Sequence, residues 1–228
     1  MKNLKLFLLL TILCTSCSSS KFLTSGVNSN EITEMLKIEP FSYIYYIEKG
    51  NQEIFNDSLS YIAENLISET MEMLSYKLRL SSDKVDLTDA NDLETLSDEL
   101  DFLISSAVNS KNVRDIPITP FLESILTDNS QRFGLIIVQN GFSRTKGNYG
   151  GQLAKAIGMG IVTGVLTGVS FYQTPVKANS TLYALIVDNQ NKNIAFFNKS
   201  ILQGSEPVVR ENIIKQINKV FEKYLWGK

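Results

Sequence analysis

The pattern of apolar and polar positions divides residues 31–228 into short segments of two kinds. Segments rich in β-branched and aromatic residues predict strands, whereas apolar residues spaced three or four positions apart predict helices. The predicted strands are 41–47, 84–87, 134–138, 182–187 and 194–197. The predicted helices are 57–78, 90–108, 119–126 and 205–226.

The order of these segments predicts the fold class. It is β-α-β-α-α-β, then a glycine-rich apolar insert at 147–176, then β-β-α. The strand at 134–138 is apolar throughout, as strands covered on both faces are, and the turn-rich residues 188–193 predict a hairpin. We therefore expect a single α/β (α+β) domain over 31–228, with a mixed sheet of about four or five strands and helices packed on it.

One stretch of the insert is unusual. Residues 156–176 contain no charged side chain, and small residues recur at every fourth position: Ala156, Gly160, Gly164 and Gly168. On a helix these four residues form one stripe that allows close approach of a second helix, so they are candidate interaction-face residues. Four structures fit the segment: a hairpin or helix buried against the sheet, an oligomerisation helix, a membrane-inserted segment and a mobile loop.

The first 16 residues are organised like an export signal peptide. Lys2 and Lys5 precede an apolar core at 6–13, which is too short to span a bilayer as a permanent helix. Ser16 and Cys17 follow, and then a polar, small-residue stretch.

The Ser16-Cys17 pair in this setting resembles the lipobox of bacterial lipoproteins, although Cys14 stands where that family usually has an aliphatic residue. The resemblance implies cleavage after Ser16, lipid attachment to Cys17 and a lipidated flexible tether at 17–30. A plain secretory signal with cysteines near the cleavage point is the alternative.

The composition restricts the possible chemistry. The chain has no histidine and two cysteines, Cys14 and Cys17. The absence of histidine excludes Ser-His-Asp and Cys-His nucleophile systems and removes the commonest metal ligand. With Cys17 lipidated we expect no catalytic residue, no metal site and no cofactor. A net charge of −2 without a basic stripe also argues against nucleic acid as a partner.

Carboxylates are the remaining candidates for catalysis. One face of the helix at 90–108 carries Asp92, Glu94, Asp98, Glu99 and Asp101. This arrangement is typical of a solvated helix face. Asp188 follows a strand, where a turn role is expected. The loop at 147–151 matches neither the dinucleotide fingerprint nor the Walker pattern.

From residue 133 onward the chain resembles a group of periplasmic-facing lipoproteins: the curli-secretion lipoprotein, the penicillin-binding-protein activators and relatives of the TolB N-terminal domain. The shared features are the buried strand at 135–138, the glycine-rich insert, a strand ending at Asp188, an apolar strand at 194–197 and a closing helix. Phe196 and Phe197 stand where that group often has tryptophan. The resemblance implies a non-enzymatic role in self-assembly or docking on an envelope partner.

These observations predict a lipid-anchored protein of the bacterial cell envelope, with the outer membrane as the more usual location. We expect it to be non-catalytic and to act by binding an envelope protein or copies of itself. One alternative is an oligomeric subunit of an outer-membrane secretion pore that inserts 156–176 into the bilayer. The other is an enzyme based on carboxylates.

Overall fold

The computed structural model describes residues 22–85, 87, 89–148, 150 and 176–227. The predicted signal peptide, Cys17 and the candidate interaction face at Ala156, Gly160, Gly164 and Gly168 lie outside the described residues.

The described residues form one mixed sheet of eight strands. In chain order the strands are β1 (Leu23–Thr24), β2 (Met35–Lys37), β3 (Phe41–Ile47), β4 (Ile54–Phe55), β5 (Leu80–Lys84), β6 (Phe133–Arg144), β7 (Ala178–Asp188) and β8 (Asn193–Gln203). Across the sheet, β1, β8, β7 and β6 are successive antiparallel neighbours. On the other side of β6 lie β2 and β3, both parallel to it. The outermost strands there are β5, parallel to β2, and β4, antiparallel to β3.

The helices cover both faces of the sheet and make a three-layer domain. They are α1 (Asp57–Met73), α2 (Ser75–Leu78), α3 (Ala90–Asn109), α4 (Pro120–Asp128) and α5 (Arg210–Phe221). Apolar residues of α1, α2 and α5 form one core cluster with one face of the sheet. Apolar residues of α3 and α4 form a second cluster with the opposite face. Residues 133–138 of strand β6 contribute alternately to the two clusters, which explains why this half of the strand is apolar.

Strands β2 and β3 lie end to end beside β6 and are separated by an irregularity. Lys37 pairs with Leu135 and Phe41 pairs with Val138, so four steps along the first chain match three along β6. Pro40 lies in this interval and has no N–H group for the ladder. The proline therefore separates the chain that lies beside β6 into two strands, β2 and β3.

The α/β class and the single mixed sheet are confirmed, but the predicted number of four or five strands is wrong. Three of the additional strands, β1, β2 and β4, have only two or three residues. Such short segments cannot show the alternation on which a strand prediction depends.

The predicted tether at 17–30 is wrong from residue 22 onward, because these residues belong to the fold. Strand β1 pairs with the outer edge of β8. The ring of Phe22 lies 5.8 Å from that of Phe196 and 5.7 Å from that of Tyr224. Packing of this aromatic ring and pairing with the main-chain N–H and C=O groups of β8 stabilise the segment, although its composition is polar.

Candidate binding groove

A groove between α3 and the sheet is a candidate site in the described part of the chain, with a volume of about 640 Å³. Its floor consists of Tyr43 on β3, Val138 and Asn140 on β6, and Tyr183 on β7. Tyr43 is in register with Asn140, and Val138 with Tyr183. The four side chains are therefore neighbours on one face of three adjacent strands.

The wall of the groove is the C-terminal half of α3. Asp101, Ile104, Ser105 and Val108 line it, and their spacing of three and four residues places them on one helix face. Other α3 residues hold the helix in position, since Leu96, Leu100, Leu103 and Ala107 are fully buried in the second core cluster. The N-terminus of α3 is capped by Asp89, which accepts a 2.8 Å hydrogen bond from the backbone N–H of Asn91.

The titratable groups of the groove are partly desolvated. Burial raises the pKa of Tyr43, and the carboxylates of Asp101, Glu64 and Asp98 raise it further, against a lowering by the hydrogen bond to Ser97. That hydrogen bond joins the Tyr43 hydroxyl to the Ser97 Oγ over 2.7 Å. Burial also raises the pKa of Tyr183. The two phenols therefore stay neutral at physiological pH and offer both a hydroxyl and an aromatic face.

Asp101 is the carboxylate of the groove lining. Burial raises its pKa, and the neighbouring carboxylate of Asp98 on the preceding helical turn raises it further. General acid–base pairs of the carboxylate type need two such groups facing one substrate. The described groove presents one carboxylate together with aromatic and apolar side chains.

Large apolar side chains are exposed along the groove. Phe102 is 53% exposed and Val108 is 41% exposed, next to the partly buried rings of Tyr43 and Tyr183. Together they make an aromatic and apolar surface in a concave setting, which is the usual character of a site that binds another molecule.

The solvated face predicted for α3 needs one correction. Glu99 does not simply face water: its two carboxylate oxygens accept hydrogen bonds of 3.0 and 3.1 Å from the backbone N–H groups of Phe121 and Leu122. These N–H groups belong to the first turn of α4 and have no partner within that helix. Glu99 therefore joins α3 to α4, a role that the helical periodicity alone could not reveal.

The turn role expected of Asp188 is found. Its side chain is fully buried and accepts hydrogen bonds from Arg132 and from the backbone N–H groups of Gln190 and Asn191. This carboxylate organises the β7–β8 turn. It lies five residues further along β7 than Tyr183, the groove residue on the same strand.

A second group of polar side chains lies inside the first core. The Nε2 atom of Gln139 donates to Ser180 Oγ over 2.8 Å, and Ser180 Oγ is 2.8 Å from Gln216 Oε1. All three residues are fully buried between the sheet and α5, the helix to which Gln216 belongs. This network is closed to solvent, so we assign it to the docking of α5 on the sheet and not to ligand binding.

Residues 141–145 have Thr145 where a nucleophile elbow would have its final glycine, and the first four of them form the end of strand β6. Arg144 donates to the carbonyl oxygens of Val176 (3.0 Å) and Gly50 (2.6 Å) and to Asn51 Oδ1 (2.9 Å). One guanidinium group thus connects the end of β6 to the residues before β7 and to the β3–β4 turn.

No helix among the described residues is long and apolar enough to cross a membrane. They also contain no group of three or more Asp, Glu, Cys or His residues arranged to hold a metal ion.

Comparison with known proteins gives no family assignment. No family model matches the sequence, and no curated protein matches it. A solved structure of a dodecameric PelC variant from Paraburkholderia phytofirmans covers 92% of this chain and 96% of its own, at 9% identity and a TM-score of 0.35. The match to a structure of the LpoB C-terminal domain from Salmonella enterica covers 79% of this chain and 87% of the LpoB chain, at 10% identity and a TM-score of 0.26. At these values the likeness assigns neither family nor function.

Proposed function

We propose that this chain is a lipid-anchored protein of the bacterial cell envelope that acts by binding another protein through the α3 groove. The observation that supports the binding role is the exposure of Phe102 and Val108 beside the rings of Tyr43 and Tyr183 in one concave surface. Contiguous apolar surface of this kind marks interaction sites, because leaving it in water is unfavourable.

The anchor is proposed from the sequence at Ser16-Cys17. Two or more acyl chains on Cys17 contribute about 0.8 kcal/mol for each buried methylene and hold a protein stably on a membrane. Phe22 already packs in the fold, and the five residue steps from Cys17 to Phe22 reach at most about 18 Å. The anchored domain would therefore lie close to the bilayer surface, where its partner must be reachable.

Intact mass and membrane fractionation, performed on wild type and a Cys17→Ala variant in the native host, test the anchor. We expect wild type to carry a diacylglyceryl mass and to remain in the detergent-soluble membrane fraction, and the variant to be released. A wild-type protein without lipid would refute the anchor. A variant that lacks lipid but resists salt and carbonate extraction would instead favour membrane insertion of 156–176 and the pore function.

Photocrosslinking tests the binding surface. A benzophenone amino acid is placed at Phe102 in the groove, and at Tyr61 on α1 as the control, because Tyr61 is also aromatic and is 65% exposed. We expect a discrete crosslinked product from position 102 in intact cells, and none of that size from position 61. Equal products from the two positions, or none from position 102, would argue against the groove as the contact surface. A product of twice the chain mass would identify the partner as a second copy.

A further inference from the structure

We propose that the α3 groove accepts a cationic, apolar protein segment, in which an apolar side chain is flanked by lysine or arginine. This inference rests on the binding role proposed above and adds the chemistry of the partner.

The described lining of the groove includes one carboxylate, Asp101, and neither lysine nor arginine. Lys199 on β8 is exposed and in register with Tyr183, but it is not part of this lining. The wall helix is also acidic, since residues 89–109 contain six acidic residues and no basic one. Glu99 is engaged by the backbone of α4, but Asp98 and Asp101, one turn apart, repel each other. A cation placed between these two carboxylates would relieve their repulsion, whereas an anionic segment would add to it.

The rest of the lining favours the same occupant. The rings of Tyr43 and Tyr183 can receive an apolar side chain, and the face of a tyrosine ring attracts a lysine or arginine cation. Two polar groups of the wall are already engaged within α3: Ser105 Oγ donates to the Phe102 carbonyl, and Asn109 Nδ2 donates to the Ser105 carbonyl. Among the described lining residues, Asp101, the exposed Asn140 and the Tyr183 hydroxyl remain to face an incoming segment.

The test measures binding of two defined fluorescein-labelled peptides to the mature chain in detergent by fluorescence polarisation. The cationic peptide is Lys-Leu-Lys-Trp-Lys-Leu-Lys, and the anionic peptide has glutamate at each lysine position. We expect the cationic peptide to bind at least about tenfold more tightly at low salt, and its affinity to fall as salt is raised.

Two groove variants and two matched variants locate the site. Asp101→Asn and Phe102→Ala should each weaken binding of the cationic peptide by about fivefold or more. Asp92→Asn, on the same helix but outside the lining, and Tyr61→Ala, an exposed aromatic residue on α1, should change it by less than about twofold. Circular dichroism of each variant confirms that the fold is retained.

The outcomes separate this inference from the proposed function. Equal or tighter binding of the anionic peptide would refute the proposal that the groove accepts a cationic segment. An affinity for the cationic peptide that the two groove variants leave unchanged would refute it as well. If crosslinking at position 102 succeeds while the peptides show no charge preference, the binding role stands and the chemistry proposed here is wrong. If neither experiment shows binding, both proposals fail.

Discussion

The Oε1 atom of Glu64 on α1 accepts a 2.9 Å hydrogen bond from the backbone N–H of Ser42 on β3. This N–H points away from β6, at a position of β3 that neither β4 nor β5 pairs. One helical turn earlier, the Oγ atom of Ser60 accepts a 3.0 Å hydrogen bond from the N–H of Ile44. Side chains of α1 thus seal an interrupted sheet edge that would otherwise offer free N–H groups to another strand.

The Glu64–Ser42 contact predicts a difference between two substitutions. Glu64→Ala leaves the N–H of the buried Ser42 without an acceptor, and we expect a loss of about 1–3 kcal/mol in the free energy of unfolding. Glu64→Gln keeps an acceptor oxygen and should cost clearly less. Urea denaturation measures both, with Glu69→Ala as the control because Glu69 forms an exposed ion pair with Arg210 that is worth about 0–1 kcal/mol. Equal losses from Ala and Gln would contradict the proposed edge contact.

The same residue predicts a pH dependence of stability. Burial raises the pKa of Glu64 above its ordinary value of 4.5, the Ser42 hydrogen bond opposes this, and Glu39 adds to it. A carboxyl group whose pKa is higher in the folded chain stabilises the fold below its unfolded pKa. This contribution is lost as the pH rises through the folded pKa.

Glu64→Gln has no such proton to lose. We therefore expect the unfolding free energy of Glu64→Gln, relative to wild type, to rise between pH 4.5 and 7. Urea denaturation of the two proteins across that range measures the trend. A constant or falling difference would show that the folded chain does not disfavour the charged carboxylate.

The sequence predicted those parts of the fold in which one regular pattern runs for several turns or residues. Strand β3 was predicted at 41–47 and is found there, and α3 was predicted at 90–108 and ends at Asn109. Strand β6 was predicted only to residue 138 but continues to Arg144. Its second half is polar and owes its extension to pairing with β3 and β7, which are distant in the sequence.

The groove itself was not predicted. Tyr43, Asn140 and Tyr183 are close only because β3, β6 and β7 are neighbours in the sheet, and that order does not follow from local patterns. The acidic residues of α3 were visible, but their periodicity could not distinguish Glu99, which caps α4, from Asp101, which lines the groove. Tertiary contacts decide between such roles, and a single sequence does not display them.

A glycine between β3 and β7 predicts a steric effect. A Cβ atom at Gly141 would lie 2.5 Å from the carbonyl oxygen of Asn179 and 3.1 Å from Pro207 Cβ. Because the first of these is backbone in the paired strand, we expect Gly141→Ala to cost about 1–3 kcal/mol of unfolding free energy. Gly147→Ala is the control, since no atom of the described residues lies within 4 Å of its Cβ position. Thermal denaturation compares the two, and similar midpoints would contradict the close approach of β7.

The Arg132–Asp188 pair predicts a substitution with a large cost in stability. Asp188 is fully buried, and Arg132 donates to its two carboxylate oxygens over 3.1 and 3.0 Å. Arg132→Ala leaves the buried carboxylate without its counter-charge, and we expect a loss of about 3–5 kcal/mol. The matched control is Lys192→Ala, which removes an exposed pair with Glu123 and should cost less than about 1 kcal/mol. Guanidinium denaturation measures both losses. If Arg132→Ala cost no more than the control, the backbone N–H groups of Gln190 and Asn191 and the side-chain amide of Asn191 would suffice to hold the Asp188 carboxylate. The turn would then not depend on the guanidinium group.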